Sequence, residues 1–139
     1  MSNYRWEDLA IGLQARFEVV LLQSMMDGFL DLSGDSNPLH SDPEYARASG
    51  YPLPVAFGML TSAFYSRMVG VHLPGRSALL HGIDIDFRSP AFVGDTLTVC
   101  AEVVQLNEAY RRVNLKASIV NQNGILISSA KIRAGVRER

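Results

Sequence analysis

Residues 57–71, "FGMLTSAFYSRMVGV", constrain the fold more than any other stretch of the chain. Met59, Leu60, Ala63, Phe64, Met68 and Val69 face several ways around a helical wheel, which is the pattern of a helix enclosed by other structure. His72-Leu73-Pro74-Gly75 stops it, and the remainder reads as strands over about 77–89, 95–106, 111–121 and 125–135. One long apolar helix followed by a meander of four or more antiparallel strands predicts an α+β architecture in which the sheet curls around the helix.

A length of 139 residues, 47% of them apolar, suits one core, so a single domain over 1–139 without a linker is expected. Asn123-Gly124, between two alternating segments, predicts a tight type I′ turn, with Gly94-Asp95 as a second turn. A single sheet leaves edges, and pairing one across a two-fold axis predicts a homodimer.

Upstream, Leu13–Leu22 suits an early strand ended by Gln23, and Ser24 with Asp27 has capping-box spacing at the head of a helix carrying Met25, Met26, Phe29, Leu30 and Leu32. Gly34 supplies the left-handed helix stop. Asn37-Pro38 is a turn, and Asp42-Pro43-Glu44 starts a short helix that runs to about Ala48.

Thirteen basic against 14 acidic side chains leave a formal charge of -1, so no broad footprint for nucleic acid or an anionic membrane is present. The first residues, "MSNYRWEDLAIG", have neither the apolar core of a secretory signal nor that of a membrane anchor, and a cytoplasmic protein is expected. The one cysteine, Cys100, lies in an alternating segment and reads as a small core or half-buried residue. His72 and His81 read as surface or strand-end residues, and no metal motif or phosphate loop is found.

The chemistry-bearing segment is "SGDSNPLHSD", residues 33–42, which sets Asp35 and His40 five positions apart on a proline-stiffened loop. Either residue alone fits a capped turn or a solvated loop histidine. Together with Gly58 at the start of the apolar helix, where a free N–H and a partial positive charge are available, they supply an acid, a base and an oxyanion donor. Those parts suit addition of water to an α,β-unsaturated thioester: His40 takes a proton from water, Asp35 handles the proton at Cα, and the Gly58 amide holds the enolate-like oxygen. That chemistry calls for no metal or redox cofactor.

"LSGDSNPLHSDPEYA", "PVAFGMLTSAFYSRMVG" and "FRSPAFVGDTLTV" resemble, in order, the motifs of the MaoC-like (R)-specific enoyl-CoA hydratases and dehydratases, and the likeness runs from "WEDLAIG" to the last strands. The resemblance implies a hot-dog fold and an acyl-CoA or acyl-carrier-protein thioester substrate. It also implies that Asp35 and His40 are the catalytic pair, that Asn37 and Pro38 shape their loop, that Gly58 is the oxyanion donor, and that Ser66 lies near the catalytic Asp. Without the family, Ser66 reads as a solvated helix serine.

This chain has Phe57 where the family usually has His, which puts a bulky apolar side chain at the expected mouth of the site and bears on substrate binding. A second departure, "LQSMM" at 22–26, replaces the family's Thr-led acidic helix start. Asp95 in "FVGDTL" reads as a turn residue, and Asp84 and Asp86 as the polar face of a strand. Arg88, Lys116, Lys131 and Arg133 are candidates for CoA phosphates. The expected function is a hydro-lyase that reversibly converts a trans-2-enoyl thioester to an (R)-3-hydroxyacyl thioester, in a homodimer or dimer of dimers. The alternatives are a hot-dog thioesterase and a non-catalytic acyl-thioester binding module, the latter favoured only by Phe57.

Overall fold

A computed structural model describes residues 1–137. The apolar segment folds as helix α3, Gly58–Arg67, continued by one π-helical turn, Met68–His72. Before it come strand β1 (Gln14–Val20), helix α1 (Gln23–Ser33), a 3-10 turn at Pro38–His40 and helix α2 (Pro43–Ala48). After it come β2 (Ala78–Phe87), β3 (Thr96–Asn107), β4 (Arg112–Val120) and β5 (Leu126–Val136).

The five strands form one antiparallel sheet in the order β1-β3-β4-β5-β2. Strict alternation turns Leu97, Val99, Ala101 and Val103 of β3 and Val113, Leu115, Ala117 and Ile119 of β4 to one face, where all are buried. Leu60, Tyr65, Met68 and Val69 of the helical segment share the same core. Each fully buried Leu or Ile contributes roughly 1.5–3 kcal/mol relative to an exposed one.

The expected four-strand meander is corrected to three. Strands β3, β4 and β5 follow one another, but β2 pairs with β5, so the connection from β2 to β3 crosses the sheet instead of making a hairpin. Gly94-Asp95 does turn the chain, with Gly94 at φ 98, yet it serves this crossing segment and is pinned to Leu21 by backbone bonds in both directions. The β4–β5 turn is also not type I′, which needs positive φ at both central residues. Among the described residues only Gly124 of this turn has positive φ, at 72°, and the Asn121 side chain accepts from the N–H groups of Asn123 and Ile125.

The α1 start is shifted as well: Leu22 is the N-cap, without a side-chain cap, and Ser24 lies inside the helix. Asp27 is held by the Gln23 amide at 3.0 Å. Helix α3 is covered on one side only, since Met59 is 63% exposed and Ala63, Ser66 and Arg67 face outward. Leu60, Thr61, Ser62 and Tyr65 are buried, and the side carrying Met59 and Ala63 stays open in the single chain.

Candidate active site

The loop after α1 is built by local hydrogen bonds that its sequence supplies. Gly34 ends α1 in the left-handed region, at φ 70 and ψ 11, and its N–H bonds to the Leu30 carbonyl. The Asp35 N–H then donates to Ser33 Oγ at 3.1 Å, and the Asn37 N–H donates to Asp35 Oδ1 at 3.2 Å. Asn37 caps the next turn by accepting from the Leu39 N–H at 3.0 Å, and Pro38 fixes the first position of that turn. Asp35 Oδ1 is thereby committed to the loop, and Oδ2 is left facing His40.

His40 is held by a different segment. Its Nδ1 is 2.7 Å from the Val55 carbonyl oxygen, and since a carbonyl can only accept, Nδ1 carries the proton. In the neutral ring Nε2 therefore holds the lone pair, and it lies 4.0 Å from Asp35 Oδ2. That gap is too long for a direct hydrogen bond and fits two groups working on a shared reactant. The His40 side chain is 16% exposed and the Asp35 side chain 47%, so solvent reaches the pair from the Asp35 side.

The segment that holds His40 is itself anchored. The Val55 N–H bonds to the Leu39 carbonyl and the Ala56 N–H to the Ala91 carbonyl, tying it to the 37–40 turn and to the crossing segment between β2 and β3. It leads directly into α3 at Gly58, whose N–H makes no hydrogen bond among the described residues and so remains available at the helix start. A Cβ there would lie 2.9 Å from the edge of the exposed Phe87 ring, so glycine lets that ring pack against the helix start. Thr61 and Ser62 both donate to the Gly58 carbonyl, at 2.9 and 2.8 Å, fixing the first turn from below.

The sequence matches one family description, "MaoC like domain", over residues 10–123. This chain belongs to the MaoC-like family. It is 34% identical over 120 residues to an (R)-specific enoyl-CoA hydratase of Aeromonas caviae, covering 86% of this chain and 90% of that one. Against a 3-hydroxybutyryl-CoA dehydratase of Methylorubrum extorquens it is 29% identical over 96% of this chain and 85% of the relative. Among solved structures, the R-hydratase PhaJ1 of Pseudomonas aeruginosa in its unliganded form superposes with a TM-score of 0.92 at 28% identity, covering 99% of this chain and 88% of that one. The hot-dog fold expected from the motifs is thus the fold of this MaoC-like chain.

Of the six residues singled out in the sequence, five converge: Asp35 and His40 face each other, Asn37 shapes their loop, and Phe57 and Gly58 follow the residues that hold His40. Ser66 is exposed on α3, and no hydrogen bond joins it to Asp35 among the described residues. The expectation for Phe57 needs correcting. Its ring is 2% exposed and lies under the His40 imidazole, with centroids 4.2 Å apart, not at the mouth of the site. Phe29 of α1 packs against it at 4.8 Å.

Three contributors escaped sequence reading. The Val55 carbonyl is a backbone atom with no residue signature, and Phe29 and Phe87 meet the site only through tertiary packing. Of the basic candidates, Lys116, Lys131 and Arg133 stand on the sheet face turned away from the core: Lys116 is in register with Glu102 and Lys131 with Asp84, and Arg133 pairs with Asp84 at 3.4 Å. Arg88 directly follows Phe87 and loosely pairs with Asp86 at 3.7 Å. Asp95 is a structural acid, accepting from the Phe92 N–H and the Gln122 amide.

Two titratable groups outside the pair carry shifts. Burial pushes the Tyr65 hydroxyl up to about 12, against the pull of its 2.8 Å hydrogen bond with Ser128. Burial, then the charges of Arg67 and the N-terminal amine, hold His72 below its ordinary value. His72 is neither the surface nor the strand-end residue expected: it is half-buried at the end of the π-helical turn, stacks on Phe17 at 4.7 Å, and its Nε2 has no partner among the described residues.

Proposed function

We propose that this protein is a hydro-lyase that reversibly hydrates a trans-2-enoyl-CoA to an (R)-3-hydroxyacyl-CoA, with Asp35, His40 and the Gly58 amide as one site. The observation that carries this reading is the tying-off of His40 Nδ1 at Val55, which leaves a lone pair on Nε2 facing a free carboxylate oxygen 4.0 Å away. Water between Nε2 and Oδ2 gives one proton to His40 as its oxygen bonds Cβ. The C=C electrons move toward the thioester oxygen, which the Gly58 N–H stabilises, and the enolate is protonated at Cα through Asp35. The proton that His40 takes from water is relayed to the Asp35 carboxylate and delivered from there to Cα, so water is added across the double bond and both groups end as they began. The exposed apolar residues Leu53, Met59 and Phe87, set in the segments that flank Gly58, offer a surface for the acyl chain.

A homodimer fits the same reading. Strand β2 is an edge strand with Leu79, Leu80 and Phe87 exposed at 54%, 42% and 53%, and the open side of α3 lies uncovered in the single chain.

The test is loss of enoyl absorbance when purified protein meets short, medium and branched enoyl-CoA, with free thiol followed in parallel. Wild type is expected to hydrate without releasing thiol. Asp35→Asn and His40→Ala are expected to lower kcat by roughly 10²–10⁴-fold while melting as cooperatively as wild type. Wild-type rates in both folded variants would sink the site assignment, and thiol release from saturated acyl-CoA would replace hydration with thioester hydrolysis.

A further inference from the structure

We propose that Phe57 is a positioning residue: its buried ring is a platform that sets the plane of the His40 imidazole and so aims Nε2 at the reacting water. The hydrogen bond from Nδ1 to Val55 fixes one atom of the imidazole but not its plane, because the torsion that turns a histidine ring is broad. The plane is chosen by packing. His40 lies over Phe57 with centroids 4.2 Å apart and an interplanar angle of 28°, and Phe57 is wedged from behind by Phe29 at 4.8 Å and 50°. Phe57 also covers one face of the ring, while Nε2 faces Asp35 Oδ2 at 4.0 Å.

The arrangement is compact in sequence. Val55 supplies the carbonyl that selects the tautomer, Ala56 is bonded to Ala91, Phe57 supplies the platform, and Gly58 the free amide. Four successive residues therefore set the base and the oxyanion donor relative to one another. With 2% of its surface exposed, Phe57 cannot touch a substrate, so its contribution passes through His40.

The proposal rests on His40 acting as the base, and the test separates the two. The full chain has 3 histidines, so the ring nitrogens of His40 can be resolved by 15N NMR in wild type, Phe57→Leu and Phe57→His, alongside kcat and KM for enoyl-CoA hydration. Wild type is expected to show His40 as one tautomer, protonated at Nδ1. Phe57→Leu is expected to let the ring tilt off the Val55 carbonyl, and so to mix the tautomers and to lower kcat by about tenfold to a hundredfold, as misplacement of a reacting group does, with KM within about twofold. Phe57→His, which restores a flat ring, is expected to recover the single tautomer and most of kcat above about pH 7.5, where an ordinary imidazole is neutral. A folded Phe57→Leu with wild-type tautomer and kcat overturns the platform. Should Phe57→Leu not fold, Phe29→Leu removes only the brace and is expected to shift the tautomers in the same direction by less; no shift there overturns the platform too. If wild type hydrates no enoyl-CoA, the hydratase reading fails, while the tautomer comparison still decides whether Phe57 orients His40.

Discussion

Asp35 and His40 sit on a loop whose backbone is used up by its own side chains. Ser33, Asp35 and Asn37 each accept a backbone N–H within the loop, so Asn37→Ala removes the bond to Leu39 and frees the turn that carries His40. A loss in kcat of about tenfold is expected, with little change in melting temperature, since the loop lies outside the core. Gly58 makes a sharper case. Gly58→Ala brings a Cβ to 2.9 Å from the edge of the exposed Phe87 ring, and the mutual displacement of ring and helix start is expected to lower kcat/KM by up to about tenfold. Phe87→Ala in the same chain removes the obstruction, so the double variant is expected to be more active than Gly58→Ala alone; no recovery would place the cost elsewhere. The residue types in this site were legible in the sequence because each has a local job that its neighbours announce. Phe57 was not: a buried platform and an exposed rim residue have the same letter, and only packing separates them.

Among the elements, α3 and β5 are joined by one polar contact inside the core, Tyr65 to Ser128 at 2.8 Å, with both residues 0% exposed. Tyr65→Phe strands the Ser128 hydroxyl and is expected to cost about 1–3 kcal/mol in denaturant unfolding, much of it recovered by adding Ser128→Ala. The same tyrosine sets an alkaline limit. It stays protonated in the folded state up to about 12, so above pH 10 the unfolded chain loses the proton first and stability falls as pH rises toward that value.

His72, at the end of the π-helical turn, does the reverse on the acid side. Its folded value is depressed, so as pH drops below about 6.5 the unfolded state takes up a proton first and stability falls. His72→Phe keeps an aromatic ring on Phe17 and is expected to flatten the curve of melting temperature against pH below 6.5; an unchanged slope would remove His72 from that account. Helix and strand positions were legible because period 3.6 and period 2 are strong over these lengths, and the N-cap at Asp42 was announced by Pro43. The order β5-β2 was not, because alternation says which face a strand buries but not which neighbour it finds. Nor was the Leu22 start of α1, where helix entry is set by docking of Met26 into the core and not by a capping side chain.

For the whole molecule, the open side of α3 and the β2 edge make the single chain an incomplete solution to burying its apolar surface. Light scattering is expected to give a dimer, and Leu80→Lys on the β2 edge is expected to shift it toward monomer; a wild-type monomer at tens of micromolar would contradict the homodimer. The crossing segment between β2 and β3 has a separate consequence, for the order of folding. Strands β3, β4 and β5 can pair through short turns, whereas β1 must find β3 with Gln14 and Glu102 lying 88 positions apart, and the segment holding His40 is secured only when Ala56 meets Ala91. Distant pairings form after local ones because they close longer loops. In refolding from denaturant, the far-ultraviolet signal of the three-strand meander is therefore expected to return before catalysis does, making the proposed active site the last part of the chain to assemble.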